Sequence, residues 1–267
     1  MASNTSSSRV KTTQLSIQIL ETIKVSDGAR LSEIVSELDI AKSTAHKHLY
    51  TLEECGYLTK EGDTYHIGMK FLHYGEYARE RWPGFELIKE AVADLTDRTG
   101  EECDFLVEDN GRVITIEESY TQWTNYRKSG TGAPSNEYRA RIGTRYYMHS
   151  TASGLALLAE YSPERVEEII NKWGLPAITE FTFTSQPELF EELERVRERG
   201  YSVMSYTDGM ISLGKAVHGP DGQVLGTLNV SGPSYRLNGV VVQEKIPNEL
   251  VDVVESLEDR MENQAPL

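Results

Sequence analysis

The chain has 267 residues, 42 acidic and 27 basic side chains, and a formal net charge of −15. At about 100–200 residues per domain this length suggests two domains, and a 39% share of hydrophobic residues supplies enough apolar material for real cores, which excludes wholesale disorder. No apolar run approaches the ~18 residues of a membrane span, the Met1–Thr13 stretch carries no secretory apolar core, and Cys55 and Cys103 alone suggest neither a disulfide scaffold nor a zinc framework.

A cytoplasmic protein with no membrane partner and no cofactor is the expectation. The acidity of the whole argues against nucleic acid, whose phosphates it would repel. The charge is uneven, however. Residues 1–68 carry seven Lys/Arg and nine Asp/Glu, a net of −2, and the remainder carries −13. Arginine outnumbers lysine 16 to 11. An acid-rich surface keeps its hydration at high salt, so the composition fits a halophilic source, or equally an ordinary acidic soluble protein.

Residues 1–8 are rich in Ser, Asn and Thr and read as a disordered start. From Thr12 to about Val25, Leu15, Ile19 and Ile23 recur near helical spacing, with Thr12 or Thr13 as the cap and Asp27-Gly28 as the stop. Leu31-Ser32 opens a second short helix carrying Ile34, Val35 and Leu38. Asp39-Ile40-Ala41 is a tight connection, and a third helix runs from about Lys42 to Cys55 with Ala45, Leu49 and Leu52 inward. Tyr57–Lys60 and Thr64–Ile67, joined by Glu61-Gly62-Asp63, read as a β-hairpin. Helix, helix, tight turn, helix, hairpin is the order of a winged helix-turn-helix.

Met69 to Arg81 reads as a connecting helix broken by Trp82-Pro83-Gly84. Phe85 to Arg98 is a further helix. Strand patterns follow at Glu102–Glu108 and Arg112–Ser119 around an Asn110-Gly111 turn. Tyr120–Asn136 reads as a polar loop or irregular strand, and Arg145–Met148 as a short extended piece. Helices are expected at Thr151–Glu160, Pro163–Trp173 and Pro187–Gly200. Strands are expected at Tyr201–Tyr206, Ile211–His218 and Val224–Ser231, the last two joined by Gly219-Pro220-Asp221-Gly222. A closing helix spans Ile246–Asn263. This second part is α+β, an antiparallel-rich sheet flanked by helices.

The third helix carries the most specific local pattern. Apolar residues at 45, 49 and 52 bury one face and leave Ser43, Thr44, His46, Lys47 and Tyr50 outward, beside Lys42. A recognition helix needs this arrangement, because residues near its N-terminus must reach base edges and phosphates, and its free N–H groups favour a phosphate. Lys60 on the hairpin and Arg9 and Lys11 on the arm are candidate backbone or minor-groove contacts.

These residues and a second set of motifs resemble the IclR family of transcription regulators. In the first part the match is Lys42-Ser43-Thr44 with Lys47 and Leu49, then Gly56-Tyr57-Leu58 and Tyr65-His66-Ile67-Gly68. In the second part it is Met148-His149-Ser150-Thr151-Ala152-Ser153-Gly154-Leu155-Ala156, then Arg197–Tyr201 and Val230-Ser231-Gly232-Pro233. After the disordered arm (1–11), the resemblance implies a winged helix-turn-helix domain (12–68), a linker helix (69–84) and a GAF-like effector-binding and oligomerisation domain (85–267). It implies homodimers or homotetramers on palindromic operator DNA, and a small metabolite effector such as an organic, aromatic or sugar acid, controlling catabolic genes. The effector pocket is implied between the sheet and the helix start, with Ala152, Ser153, Ser212, Asn229 and Ser231. Asp208-Gly209, Ser212, Asn229 and Leu155 depart from the family pattern, so a thiol-based or metal-linked effector site is not expected. Lys215 either offers a cation to an anionic ligand or faces solvent.

Two other function classes stay open at this point. One is an enzyme using the second domain's pocket, for which His149 near Ser150 and Ser153 is the support; no acid or oxyanion hole accompanies them. The other is a protein-binding adaptor with a winged helix that no longer touches DNA. Gly209–Lys215 nearly spells a phosphate loop, but Ala216 stands where Ser or Thr must hold magnesium. Gly130-Thr131-Gly132 lacks the third glycine of a dinucleotide fingerprint. His46 and His48, two apart, do not share a helix face as metal ligands would.

Overall fold

The computed structural model describes residues 9–120, 142–207 and 209–264. The expected disordered start, most of the Tyr120–Asn136 loop, the Gly130–Gly132 pair and Asp208 lie outside them. The chain divides into two units, Met1–Glu80 and Arg81–Leu267.

The first unit runs α1 (Lys11–Val25), β1 (Ala29–Arg30), α2 (Leu31–Leu38), α3 (Lys42–Glu54), β2 (Leu58–Glu61), β3 (Thr64–Ile67) and α4 (Lys70–Glu80). The expected cap of α1 at Thr12 or Thr13 is wrong. The helix starts earlier, with Val10 as N-cap and no side-chain cap, because the Gln14 amide already reaches the Val10 carbonyl at 3.1 Å. Its stop is where the sequence puts it: Asp27 takes a left-handed φ of 53° and the Gly28 amide closes on Ile23 at 2.9 Å. Asp39, at φ 47°, makes the sharp corner between α2 and α3, a conformation that Asp tolerates through its short polar side chain. Strand β1 is two residues long and pairs Ala29 with Tyr65, giving a small antiparallel sheet in the order β1-β3-β2. Two residues are too few to show a period of two, so this strand is invisible to pattern reading. Ile19, Ile23, Ile34, Leu49, Leu58 and Tyr65 form the core of the three-helix unit.

The second unit opens with α5 (Phe85–Thr99), β4 (Glu102–Asp109) and β5 (Arg112–Ser119), then β6 (Arg145–Tyr147) and a single 3-10 turn at Met148–Ser150. Helices α6 (Ala152–Glu160), α7 (Pro163–Trp173) and α8 (Gln186–Arg199) precede β7 (Ser202–Thr207), β8 (Met210–His218) and β9 (Val224–Pro233). A turn of π-helix at Val241–Lys245 leads into α9 (Ile246–Gln264). The strands form one antiparallel sheet in the order β6-β5-β4-β9-β8-β7.

Alternation along each strand splits this sheet into two buried faces. Cys103, Phe105 and Val107 on β4, Leu213 and Val217 on β8, and Leu228 and Val230 on β9 face α5 and α9. Leu106, Val113 and Met204 face α6, α7 and α8. Two cores in a helix–sheet–helix sandwich result, and the polar residues that alternate with the first set are carried inward beneath α6. Among the described residues no helix is long and apolar enough to cross a membrane.

Candidate functional site

The outward face of α3 is as the spacing requires. Ala45 and Leu49 are fully buried, while Lys42, Ser43, His46, Lys47 and Tyr50 are exposed and Thr44 is partly so. Ala41 stands at the N-cap and has no side chain to cap with. The Thr44 and Ala45 amides both return to the Ala41 carbonyl, at 2.9 and 3.1 Å. The amides of Lys42 and Ser43 have no partner among the described residues and lie at the positive end of the helix, where an anion is favoured. His48 sits on the other side and ties α3 to α1, its Nδ1 lying 2.8 Å from Ser16 Oγ. On the hairpin, Lys60 is exposed, with its Nζ 5.2 Å from the centre of the Tyr65 ring that it opposes across the strands.

In the second unit the five residues expected around the effector meet beneath α6. The Thr151 hydroxyl caps the helix by accepting from the Gly154 amide at 3.0 Å. A Cβ on Gly154 would lie 2.0 Å from the Met148 carbonyl oxygen, so only glycine lets the 3-10 turn fold against the helix start. Gly214 on β8 approaches closely from below: a Cβ there would lie 3.1 Å from the Ala152 carbonyl carbon and the Ser153 amide, a tight contact. The Ser202 hydroxyl locks this contact, 2.6 Å from the Ala152 carbonyl. Ala152 and Ser153 are thus pressed onto the sheet and nearly fully buried.

Register then lays out the floor. Asn229 pairs with Gly214 on one side and Asp104 on the other. Ser231 pairs with Ser212 and with Glu102. The Ser212 and Ser231 hydroxyls lie 2.8 Å apart, and Asn229 Nδ2 donates to Ser231 Oγ at 3.0 Å and to Asp104 Oδ1 at 2.9 Å. Asn229 is 5% exposed, and its Oδ1 has no partner among the described residues; neither has the hydroxyl of the fully buried Thr115.

Three residues of this face escape the motif reading: Asp104, Thr115 and Glu118. Asp104 is 3% exposed and is placed across from Glu118 by a bulge between Phe105 and Leu106. Burial first, then the charges of Glu102 and Glu118, push its carboxyl up to about 8, against the lowering effect of Asn229. A lone acid inside Cys103-Asp104-Phe105-Leu106-Val107 is the signal that could have revealed it.

Lys215 is placed away from the face beneath α6, with its ammonium at an exposed position. It alternates with Leu213 and Val217 on the face opposite α6, and its Nζ meets the Gly200 carbonyl at 3.3 Å. His149 is buried in the 3-10 turn, not in a helix, and its Nε2 lies 3.1 Å from the Pro176 carbonyl. Ser150 donates to the Tyr147 carbonyl. The two side chains are engaged elsewhere and form no relay. Gly209–Lys215 enters strand β8 and is not a phosphate loop.

A winged helix with an exposed polar face, followed by an α+β unit holding an inward polar floor, is the build of a two-domain DNA-binding regulator. The model of the IclR helix-turn-helix domain matches residues 16–62, and that of the bacterial transcriptional regulator IclR C-terminal domain matches residues 83–258. The chain belongs to the IclR family of transcriptional regulators. It is 27% identical to the "probable HTH-type transcriptional regulator ArcR" of Halobacterium salinarum, over 98% of this chain and 97% of that one. It is 26% identical to the transcriptional repressor IclR of Escherichia coli, over 85% and 82%. Its fold is similar to that of the solved IclR of Thermotoga maritima (TM-score 0.72, 24% identity, 95% of this chain and 100% of that one). It is also similar to that of an IclR homolog from Microbacterium hydrocarbonoxydans complexed with 4-hydroxybenzoate (TM-score 0.75, 21% identity, 95% and 100%).

Proposed function

We propose that the chain is a cytoplasmic, metabolite-responsive regulator of catabolic genes that docks α3 in the major groove of a palindromic operator. The observation that carries this is the outward face of α3: Lys42, Ser43, Thr44, His46, Lys47 and Tyr50 displayed over a fully buried Ala45 and Leu49, with two unpaired amides at the helix start. Lys60 adds a backbone contact from the wing. The second unit takes a small molecule on the face formed by Ala152, Ser153, Ser212, Asn229 and Ser231. In support, a solved homolog of the same fold holds 4-hydroxybenzoate, and Asn229 has an unfilled buried acceptor here.

Self-association as a dimer or tetramer belongs to the same reading. Helix α4 buries no residue of its own, and Met69, Leu72, Tyr74 and Tyr77 on and before it are exposed apolar side chains. A second copy of this helix would cover them, as large exposed apolar patches call for. Effector and operator then influence each other only through different affinities for two arrangements of the assembly, a coupling typically worth about 1–3 kcal/mol.

The test is selection of fragments from sheared genomic DNA by the purified chain, followed by anisotropy titration of the winning fragment. Specific binding that weakens in Lys47→Ala is expected; equal affinity for all fragments would remove the assignment. If the −13 carried by residues 69–267 is a salt adaptation, specific binding should survive salt that strips an ordinary basic regulator. Its slope should be shallower than the roughly −0.9 per neutralised phosphate of a strongly basic site.

A further inference from the structure

His218 stands where β8 ends, at a bulge after Val217 that breaks the alternation of the strand. From that end of the sheet its ring reaches helices on both faces. Nε2 lies 3.3 Å from Oε2 of Glu160, the last residue of α6. Nδ1 lies 3.1 Å from Oε1 of Glu258 on α9, which also accepts the His218 amide at 2.8 Å. The other charged groups of the surrounding elements are placed as follows. Arg197 of α8 donates to the Ala159 and Tyr161 carbonyls at 2.7 and 3.3 Å and pairs with Glu194. Lys215 of the same strand meets the Gly200 carbonyl, and Asp221 of the following turn holds the Gln223 amide at 3.0 Å. Glu255 and Glu262 flank Glu258 by one turn of α9 and are exposed. On β9 the neighbour of His218 by register is Val224.

Helix α9 leads from this bridge to the point where the chain enters the second unit. Val254, Leu257 and Met261 share a core with Phe85 and Ile88 of α5, and Arg260 pairs with Glu90. Met261, three residues on from Glu258, closes on Gly84, the N-cap of α5: a Cβ there would lie 2.6 Å from the Met261 Cε. At the other end of the bridge, α6 carries Ala152 and Ser153 at its start, held to the sheet by Ser202. We propose that His218 couples the effector helix to the entry of the second unit, its doubly protonated ring joining Glu160 of α6 to Glu258 of α9. Carboxylates only accept hydrogen bonds and a neutral imidazole has one N–H, so only the imidazolium serves both at once. In the neutral ring one nitrogen turns a lone pair to a carboxylate. Glu258 keeps the backbone amide in either case, so the Glu160 arm is the one that opens. The bridge thus has two states, and histidine is the side chain that moves between such states from pH 5 to 8. A ligand that shifts α6 is felt at Gly84 when the bridge is closed and not when it is open. That last step rests on reading the face beneath α6 as the effector site; the bridge does not.

The experiment is hydrogen exchange of the full chain, read by mass spectrometry on peptides covering 82–92 and 246–264, at about pH 5.5 and about pH 8, either side of the histidine range. The Phe85 and Ile88 amides, bonded to the Trp82 and Gly84 carbonyls, report on the junction. At the lower pH, Glu160→Gln should exchange there about threefold faster than the parent, in keeping with a partly exposed ion pair. At the higher pH the two should agree. His218→Gln should do the same, and the double variant no more than either. Arg197→Lys, which loosens only the end of α6, should leave the junction unchanged. Exchange that changes only in α6 and β8, a difference of equal size at both pH values, or an equal effect of Arg197→Lys would overturn the coupling. The effector reading fails separately, if small-molecule extracts leave operator affinity unchanged while the junction still responds to Glu160→Gln.

Discussion

The two units present polar side chains in opposite directions. On α3, Ser43, Thr44, His46 and Lys47 stand outward on a helix whose other face is core. Beneath α6, Ser153, Ser212, Asn229 and Ser231 stand inward, on a sheet buried on both faces. On the proposed reading, the difference follows from the size of what each would meet. A duplex reaches only what projects, so specificity there costs little folding energy. A small molecule can be enclosed, and its recognition groups must then be desolvated in advance, leaving Asn229 Oδ1 unpaired and Asp104 holding a proton that it would lose in water. The first surface is cheap to fold; the second burdens the fold, by an amount that depends on pH.

The strongest test of this contrast is Leu49→Ala. It empties a fully buried position at the centre of the small three-helix core and should destabilise the first unit by about 2–5 kcal/mol. Calorimetry should resolve a lowered first transition and an unchanged second one; a single lowered transition would show that the units do not melt separately. Next in size is Asp104→Asn. A carboxyl with a raised folded-state pKa stabilises fully only below its unfolded value, about 3.9, and that contribution is lost as pH climbs to about 8. The variant carries no such load, so its melting point should exceed the parent's at pH 8 by an amount that shrinks as pH falls toward 4. A flat difference across pH would break the account of the floor.

Lys47→Ala should cost about tenfold in operator affinity and reduce the salt slope by about one phosphate, with no effect on melting, since Lys47 is exposed. The smallest effect expected is Thr151→Ala. It removes the cap on Gly154 and should lower the second transition by about 1 kcal/mol, measurable by urea titration.

The sequence made the first surface legible because every determinant is local. Apolar residues at 45, 49 and 52, a tight turn before them and a hairpin after them suffice, and the helix limits Lys42–Glu54 follow. The floor of the second unit is different. Ser212, Asn229 and Ser231 are reachable by resemblance, but their meeting with Asp104 depends on the pairing of β4 with β9 and of β8 with β9, which brings together residues more than a hundred positions apart. The one-residue bulge that sets Glu118 opposite Asp104 has no local signature at all. The α1 start failed for a related reason: Thr12 and Thr13 are good caps in isolation, but a helix can begin at an uncapped residue when its exposed end is solvated.

Gly214 has a mechanical consequence. With no side chain between β8 and the start of α6, and with the Ser202 hydroxyl bridging them, there is no slack in this joint. On the proposed reading, a molecule that presses on Ser153 would meet no rotating side chain at Gly214 to absorb it and would load strand and helix together. The hairpin of β8 with β9 would carry that displacement toward the Gly219–Gly222 turn at its far end.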